Sequence, residues 1–304
     1  MKIKNYLLLL FVAVFVSFGA YAQDPAIVEE EVEEELENVV QGDTVAVYSD
    51  KMQKSIKNTI VVPAQYFDPD LLEEQYPVIY LLHGYSGDYS NWAHFKDLDA
   101  IATDLGVIFV CPDGEHGWYW DSPVRKDSQY ETYVSKELVN YIDTHYRTMK
   151  TPAMRAITGL SMGGHGALWL AIRHSDVFGN AGSMSGGVNI IPFPKKWKMA
   201  ENLGSYEENK ERWEKHTVIN LVPTLKNHQL NIIFDCGSSD FFAKVNNDLH
   251  EALLKAGIDH DYISRPGTHN WKYWTNSLDF QLLFFQKAFE KATDAMNAAA
   301  ETNE

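Results

Sequence analysis

Along the chain, apolar residues gather into short dense runs separated by longer amphipathic stretches. Pro77-Val78-Ile79-Tyr80-Leu81-Leu82 is continuously apolar and ends at His83-Gly84, the pattern of a strand buried on both faces of a parallel sheet. Runs of the same kind occur at Val107–Cys111, Arg155–Thr158, Ala181–Met184, Asn231–Asp235 and Asp261–Ser264. Helical periodicity fits between them at Phe95–Leu105, Thr132–His145, Gly164–His174 and Asn246–Ala256, with a long last helix from Ser277 to Ala299. This alternation predicts an α/β fold, a mostly parallel sheet with helices on both faces. Two earlier strand-like stretches, Val45–Tyr48 and Thr59–Val62, read as an antiparallel entry into that sheet. The segment Ile190–Asn220 breaks the rhythm with Pro, Lys and Trp, and reads as an insertion over the sheet edge.

The pattern changes at the N-terminus. Lys2 and Lys4 precede an apolar stretch from Tyr6 to Phe18 and then Ala20-Tyr21-Ala22, the form of a signal peptide (residues 1–22) cleaved before Gln23. The apolar stretch is shorter than the ~20 residues that span a bilayer, so no stable membrane insertion is expected after cleavage. Residues 23–40 include a mostly glutamate run from Glu29 to Glu37, whose mutual repulsion makes it a solvated tether; the folded domain is expected to occupy residues 41–304. The formal charge of −16, with no long basic stretch, argues against nucleic acid as a partner. Export permits disulfides, yet Cys111 and Cys236 each close an apolar strand-like run and read as buried thiols, with no His at the spacing of a zinc site or cysteine protease.

Chemistry concentrates where strand meets helix. Ala156-Ile157-Thr158-Gly159-Leu160-Ser161-Met162-Gly163-Gly164 carries a serine between glycines at such a junction, the nucleophile elbow of the α/β-hydrolase fold. The glycines remove Cβ atoms that would clash, and Ser161 stands at a helix N-terminus whose free N–H groups can stabilise an oxyanion. A serine nucleophile needs a base, and the base an orienting acid, in the chain order Ser, Asp or Glu, His. Asp240, in the loop Cys236-Gly237-Ser238-Ser239-Asp240-Phe241, and His269, in Pro266-Gly267-Thr268-His269-Asn270-Trp271, fill these positions; Asp235 competes for the acid role from the strand end. The backbone N–H groups of Met162 and of Tyr85, after His83-Gly84, are the candidate oxyanion donors. His165 and His83 read as structural. Trp118 and Trp120 follow the strand ending at Cys111, on the side of the site. They read either as a platform for a feruloyl ring or sugar or as a packed loop, with Trp197 and Trp213 weaker candidates.

The sequence from Val45 to the last helix resembles the putative esterase family of esterase D (S-formylglutathione hydrolase), tributyrin esterases, feruloyl esterases and antigen 85 mycolyltransferases, most closely the tributyrin and feruloyl branch. The resemblance is carried by Tyr80-Leu81-Leu82-His83-Gly84, Glu137-Leu138, Tyr141-Ile142, Tyr146-Arg147, Gly159 to Leu168, and the loops around Asp240 and His269. It implies Ser161, Asp240 and His269 as triad, with Tyr85 and Met162 as oxyanion donors. It also implies a sheet order that sets the strands of Cys111 and Cys236 apart by three others, roughly 19 Å at ~4.8 Å per strand, so that the thiols stay free. The expectation is an exported serine esterase acting on short-chain acyl, feruloyl or acetyl esters, including those of plant cell-wall carbohydrate, with no metal or organic cofactor. The alternatives are an antigen 85-type acyltransferase, an S-formylglutathione hydrolase, disfavoured by export, and a non-catalytic carbohydrate-binding relative. The sequence leaves the oligomeric state open.

Overall fold

Residue parity along the strands divides the apolar runs between two cores. The computed structural model of the protein describes residues 42–302; the expected signal peptide and acidic tether lie outside them. The strands are β1 (Asp43–Ser49), β2 (Lys54–Val61), β3 (Val78–Leu82), β4 (Ile108–Pro112), β5 (Arg155–Gly159), β6 (Asn180–Met184), β7 (Asn231–Gly237) and β8 (Asp261–Arg265). They form one sheet in the order β1-β2-β4-β3-β5-β6-β7-β8, antiparallel at β1/β2 and β2/β4 and parallel elsewhere. Successive strand residues face opposite ways, so Val78, Tyr80 and Leu82 enter one core while Ile79 and Leu81 enter the other.

The helices are α1 (Asn91–Phe95), α2 (Leu98–Leu105), α3, α4 (Met162–Arg173), α5 (Met199–Leu203), α6 (Lys210–Lys215), α7 (Ala243–Ala256) and α8 (Trp271–Glu301). In α3, a π-helical Tyr133–Leu138 joins Tyr130–Thr132 to Val139–His145. Residues of α3, α4 and α7 share the first core, and those of α1, α2 and α8 the second. The single helix expected over Phe95–Leu105 is broken, because the Asp97 carboxylate accepts the Ala100 N–H at 3.0 Å and caps a new start at Leu98. The last helix begins six residues earlier than its apolar periodicity suggests, because Asn270 caps it by accepting the Tyr273 N–H at 3.1 Å. Among the described residues no helix is long and apolar enough to cross a membrane.

Cys111 on β4 and Cys236 on β7 are buried, free and separated by β3, β5 and β6. Asp235 is buried on the face toward α8, where it accepts hydrogen bonds from Ser277 Oγ at 2.5 Å and Gln281 Nε2 at 2.8 Å. Burial raises its pKa. Its contacts fasten the last helix to the sheet.

Two sequence expectations need correction. The Ile190–Asn220 insertion does not cover the sheet edge. Asn202 in α5 bonds His116 O, and His216 after α6 stacks on Trp169 of α4, so the segment sits over the loop after β4 and the helix after central strand β5. Trp118 and Trp120 are not a platform in the cleft: both are buried in the first core. Trp118 and Tyr119 take left-handed φ values of 56° and 60°, which turns this aromatic run inward. Trp118 stacks on Trp120 with centroids 5.5 Å apart, and Tyr119 lies on α4 where only Gly166 leaves room for its ring.

Trp120 Nε1 donates to His165 Nε2 at 2.8 Å, and His165 Nδ1 donates to Gly187 O at 2.9 Å. An indole N–H can only donate and a carbonyl can only accept, so this ring is held neutral. Burial depresses its pKa to about 3 from an ordinary 6.5. Below pH ~6.5 an unfolded His165 therefore takes up a proton that the folded one refuses, and stability falls by up to about 1.4 kcal/mol per pH unit. The thermal midpoint of the wild type should drop more steeply between pH 7 and pH 5 than that of His165→Asn; parallel profiles would contradict the neutral assignment. Trp120→Phe, which strips His165 Nε2 of its donor, should cost ~1–3 kcal/mol in denaturant unfolding.

Candidate active site

The register of β3 against β5 pairs Leu82 with Gly159, and so sets the His83-Gly84-Tyr85 loop beside the Leu160-Ser161 turn. The two segments approach so closely that a Cβ at Gly159 would lie 2.6 Å from Leu82 O, and one at Gly163 would lie 2.6 Å from His83 O. Glycine is required at both positions. Between them Ser161 adopts φ 56° and ψ −112°, a conformation that costs a non-glycine residue about 1–3 kcal/mol. The surroundings hold it there: Ser161 N–H donates to Met184 O at 2.9 Å, and Ser161 O accepts from Gly187 N–H at 3.2 Å and His165 N–H at 3.0 Å.

Asp240 and His269 are brought together by a continuation of the β7/β8 pairing into the loops. Ser238 N–H donates to Arg265 O at 2.8 Å and Ser239 N–H to Gly267 O at 3.0 Å, while Gly237 lacks the Cβ that would strike Gly267. The Asp240 side chain is fully buried. Its Oδ1 accepts the Phe242 N–H at 2.8 Å, and its Oδ2 lies 2.8 Å from His269 Nδ1. His269 Nε2 is 2.9 Å from Ser161 Oγ. A carboxylate only accepts, which assigns the proton to Nδ1 and leaves Nε2 to take the serine proton. Asp235, facing α8, takes no part in this chain.

Tyr85 lines the same cavity as Ser161. Among the described residues the N–H groups of Tyr85 and Met162 donate to no backbone acceptor. His83 fixes the Tyr85 loop from within: its Nε2 accepts the Gly114 N–H at 2.8 Å, leaving Nδ1 to donate to Gly84 O at 2.7 Å. The structure thus brings Ser161, Asp240, His269, Tyr85 and Met162 together, and leaves Trp118 and Trp120 behind the site.

The cavity, about 340 Å³, is walled by other aromatic side chains: Tyr85, Trp197, Phe241, Trp271 and Trp274. Phe241 lies against the His269 ring at 4.2 Å between centroids, and Trp274 meets that ring edge-on at 4.8 Å. Phe241 and Trp271 end the two motifs that carry Asp240 and His269, and Trp274 lies three residues further on; the motifs by themselves give none of the three a role at the cavity wall. Trp197 comes from the insertion, at a turn with no motif of its own.

A family model described as "Putative esterase" matches residues 49–285. An acetyl esterase of Caldicellulosiruptor saccharolyticus is 26% identical over 243 residues, covering 75% of this chain and 91% of that protein. The diacylglycerol acyltransferase/mycolyltransferase Ag85B of Mycolicibacterium smegmatis is 26% identical over 242 residues, covering 66% of this chain and 73% of that one. A solved ferulic acid esterase superposes with a TM-score of 0.69 at 27% identity, covering 81% of this chain and 98% of its own. With its sheet order, its elbow and this match over most of its length, the chain belongs to the putative esterase family, carboxylic ester hydrolases of the α/β-hydrolase fold.

Proposed function

We propose that this protein is an exported serine esterase that cleaves carboxylic esters through an acyl-enzyme on Ser161. The observation that carries the reading is the unbroken hydrogen-bond chain from Ser161 Oγ through His269 to Asp240. As Ser161 Oγ attacks the ester carbonyl, His269 Nε2 takes the hydroxyl proton, and the Asp240 carboxylate stabilises the resulting imidazolium through Nδ1–H. The tetrahedral oxyanion is met by the N–H groups of Tyr85 and Met162 at the start of α4, donors that need not first break a bond within the protein. His269 then returns the proton to the departing alcohol. Water repeats the sequence in reverse and frees the acid.

The substrates that suit the aromatic-walled cavity are short-chain acyl, acetyl and feruloyl esters, including those on plant cell-wall carbohydrate. The names of the acetyl esterase relative and of the ferulic acid esterase neighbour support that range. Likeness to an acyltransferase favours a second fate for the acyl-enzyme, transfer to an alcohol; an added alcohol that yields a new ester in place of free acid identifies it. Export rests on the basic, apolar and Ala20-Tyr21-Ala22 segments of the N-terminus.

Ser161→Ala should lower kcat on p-nitrophenyl acetate by at least ~10⁴-fold, and Asp240→Asn by roughly 10³–10⁴-fold, with thermal midpoints near the wild type. Retention of full turnover by Ser161→Ala would sink the mechanism. Mass spectrometry of the exported protein should give a chain starting at Gln23, whereas an intact Met1 in the mature form would count against export.

A further inference from the structure

The charge pattern of the chain inverts around one residue of the cavity wall, Trp197. The protein carries a formal charge of −16, yet the insertion presents Lys195, Lys196 and Lys198 around Trp197, all three exposed. The described lysines that form ion pairs are Lys54, Lys96, Lys215 and Lys244; these three are not among them. Their turn is tied to the site. The Trp197 ring lines the Ser161 cavity and stacks on Phe241 at 5.7 Å and 22°, and Phe241 in turn lies on His269.

The turn is held in this position at some conformational cost. Trp197 and Lys198 have consecutive left-handed φ values of 48° and 50°, which side-chain-bearing residues adopt only where the surroundings impose them. Buried Trp118 supplies one fastening, donating from Nε1 to Trp197 O at 3.3 Å. On its far side Lys198 acts on His116, whose pKa is lowered first by burial and then by this lysine. The His116 ring meets Tyr85 at 4.5 Å, which links the turn carrying Lys198 to the Tyr85 wall. Two carboxylates also act on His116, Glu115 and Glu201, and Glu201 acts on Tyr85 as well. Glu115 is already paired with Lys54 at 2.7 Å, which leaves Glu201 as the carboxylate opposing Lys198 at His116.

We propose that the Lys195-Lys196-Trp197-Lys198 turn is a subsite for a carboxylate on the substrate, so that the favoured ester is carried by an acidic, uronate-bearing glycan. The flat face of Trp197 supports a sugar ring, and the lysines meet its carboxylate. On an otherwise acidic surface such a patch both draws the anion to the site and sets its register relative to Ser161. This inference rests on the hydrolase reading and adds the chemistry of the alcohol side.

The test compares acetylated oligogalacturonate with acetylated xylo-oligosaccharide of equal length, alongside p-nitrophenyl acetate. The wild type should prefer the uronate ester at low salt, and the preference should shrink at about 0.5 M salt, where charges are screened beyond ~4–5 Å. The variant combining Lys195→Ala, Lys196→Ala and Lys198→Ala should lower the uronate-to-neutral ratio of kcat/KM by roughly tenfold; glutamates at the same positions should invert the preference. A ratio unaltered in both variants, with p-nitrophenyl acetate still hydrolysed, overturns the subsite. Absence of p-nitrophenyl acetate hydrolysis by the wild type overturns the esterase reading instead.

Discussion

The site depends on the contact between the ends of β3 and β5. Carbonyls of Leu82 and His83 press against Gly159 and Gly163 so closely that no side chain fits. That contact places the strained Ser161 and the Tyr85 loop on opposite sides of one small space. Strain at Ser161 is tolerated because β6 and the loop after it hold the residue by both its N–H and its carbonyl. The sheet supplies the stiffness, and the turn stores the conformation that lifts the hydroxyl clear.

Two buried histidines extend this scaffold outward. His83 bonds Gly84 O and the Gly114 N–H, joining the Tyr85 loop to the loop after β4. His165 bonds Gly187 O and the Trp120 indole, joining the loop that holds Ser161 to the same region. His165 uses one ring nitrogen as donor and the other as acceptor, which only the uncharged imidazole can do. The aromatic run after β4 therefore acts from behind the site. Trp120 holds His165, and Trp118 holds the carbonyl of Trp197, whose ring does reach the cavity.

The two aspartates near the end of β7 show how far linear order carries an argument. Both Asp235 and Asp240 follow the apolar run Ile232-Ile233-Phe234, and either is close enough in sequence to serve a base. Strand parity turns Asp235 toward α8, where Ser277 and Gln281 satisfy it. Asp240 lies beyond Gly237, in a loop that pairs with the one carrying His269, and there it reaches Nδ1. The preference for Asp240 is legible in the sequence from Gly237, whose loop can carry it toward His269. The separate employment of Asp235 is not, because its partners lie on a helix some forty residues away.

The sequence alone determined the strand and helix alternation, the elbow serine, the His269 loop and the separation of the two cysteines. All of these depend on local patterning, periodicity and motif, or on a family resemblance spanning the whole domain. Tertiary structure decided which aromatic residues face the cavity. A tryptophan offers the same apolar area to a core as to a ligand, and the choice follows from backbone turns at Trp118, Tyr119 and Trp197 that no periodicity encodes. It also decided where the insertion lies, because packing of His216 on Trp169 and of Asn202 on His116 joins segments far apart in the chain.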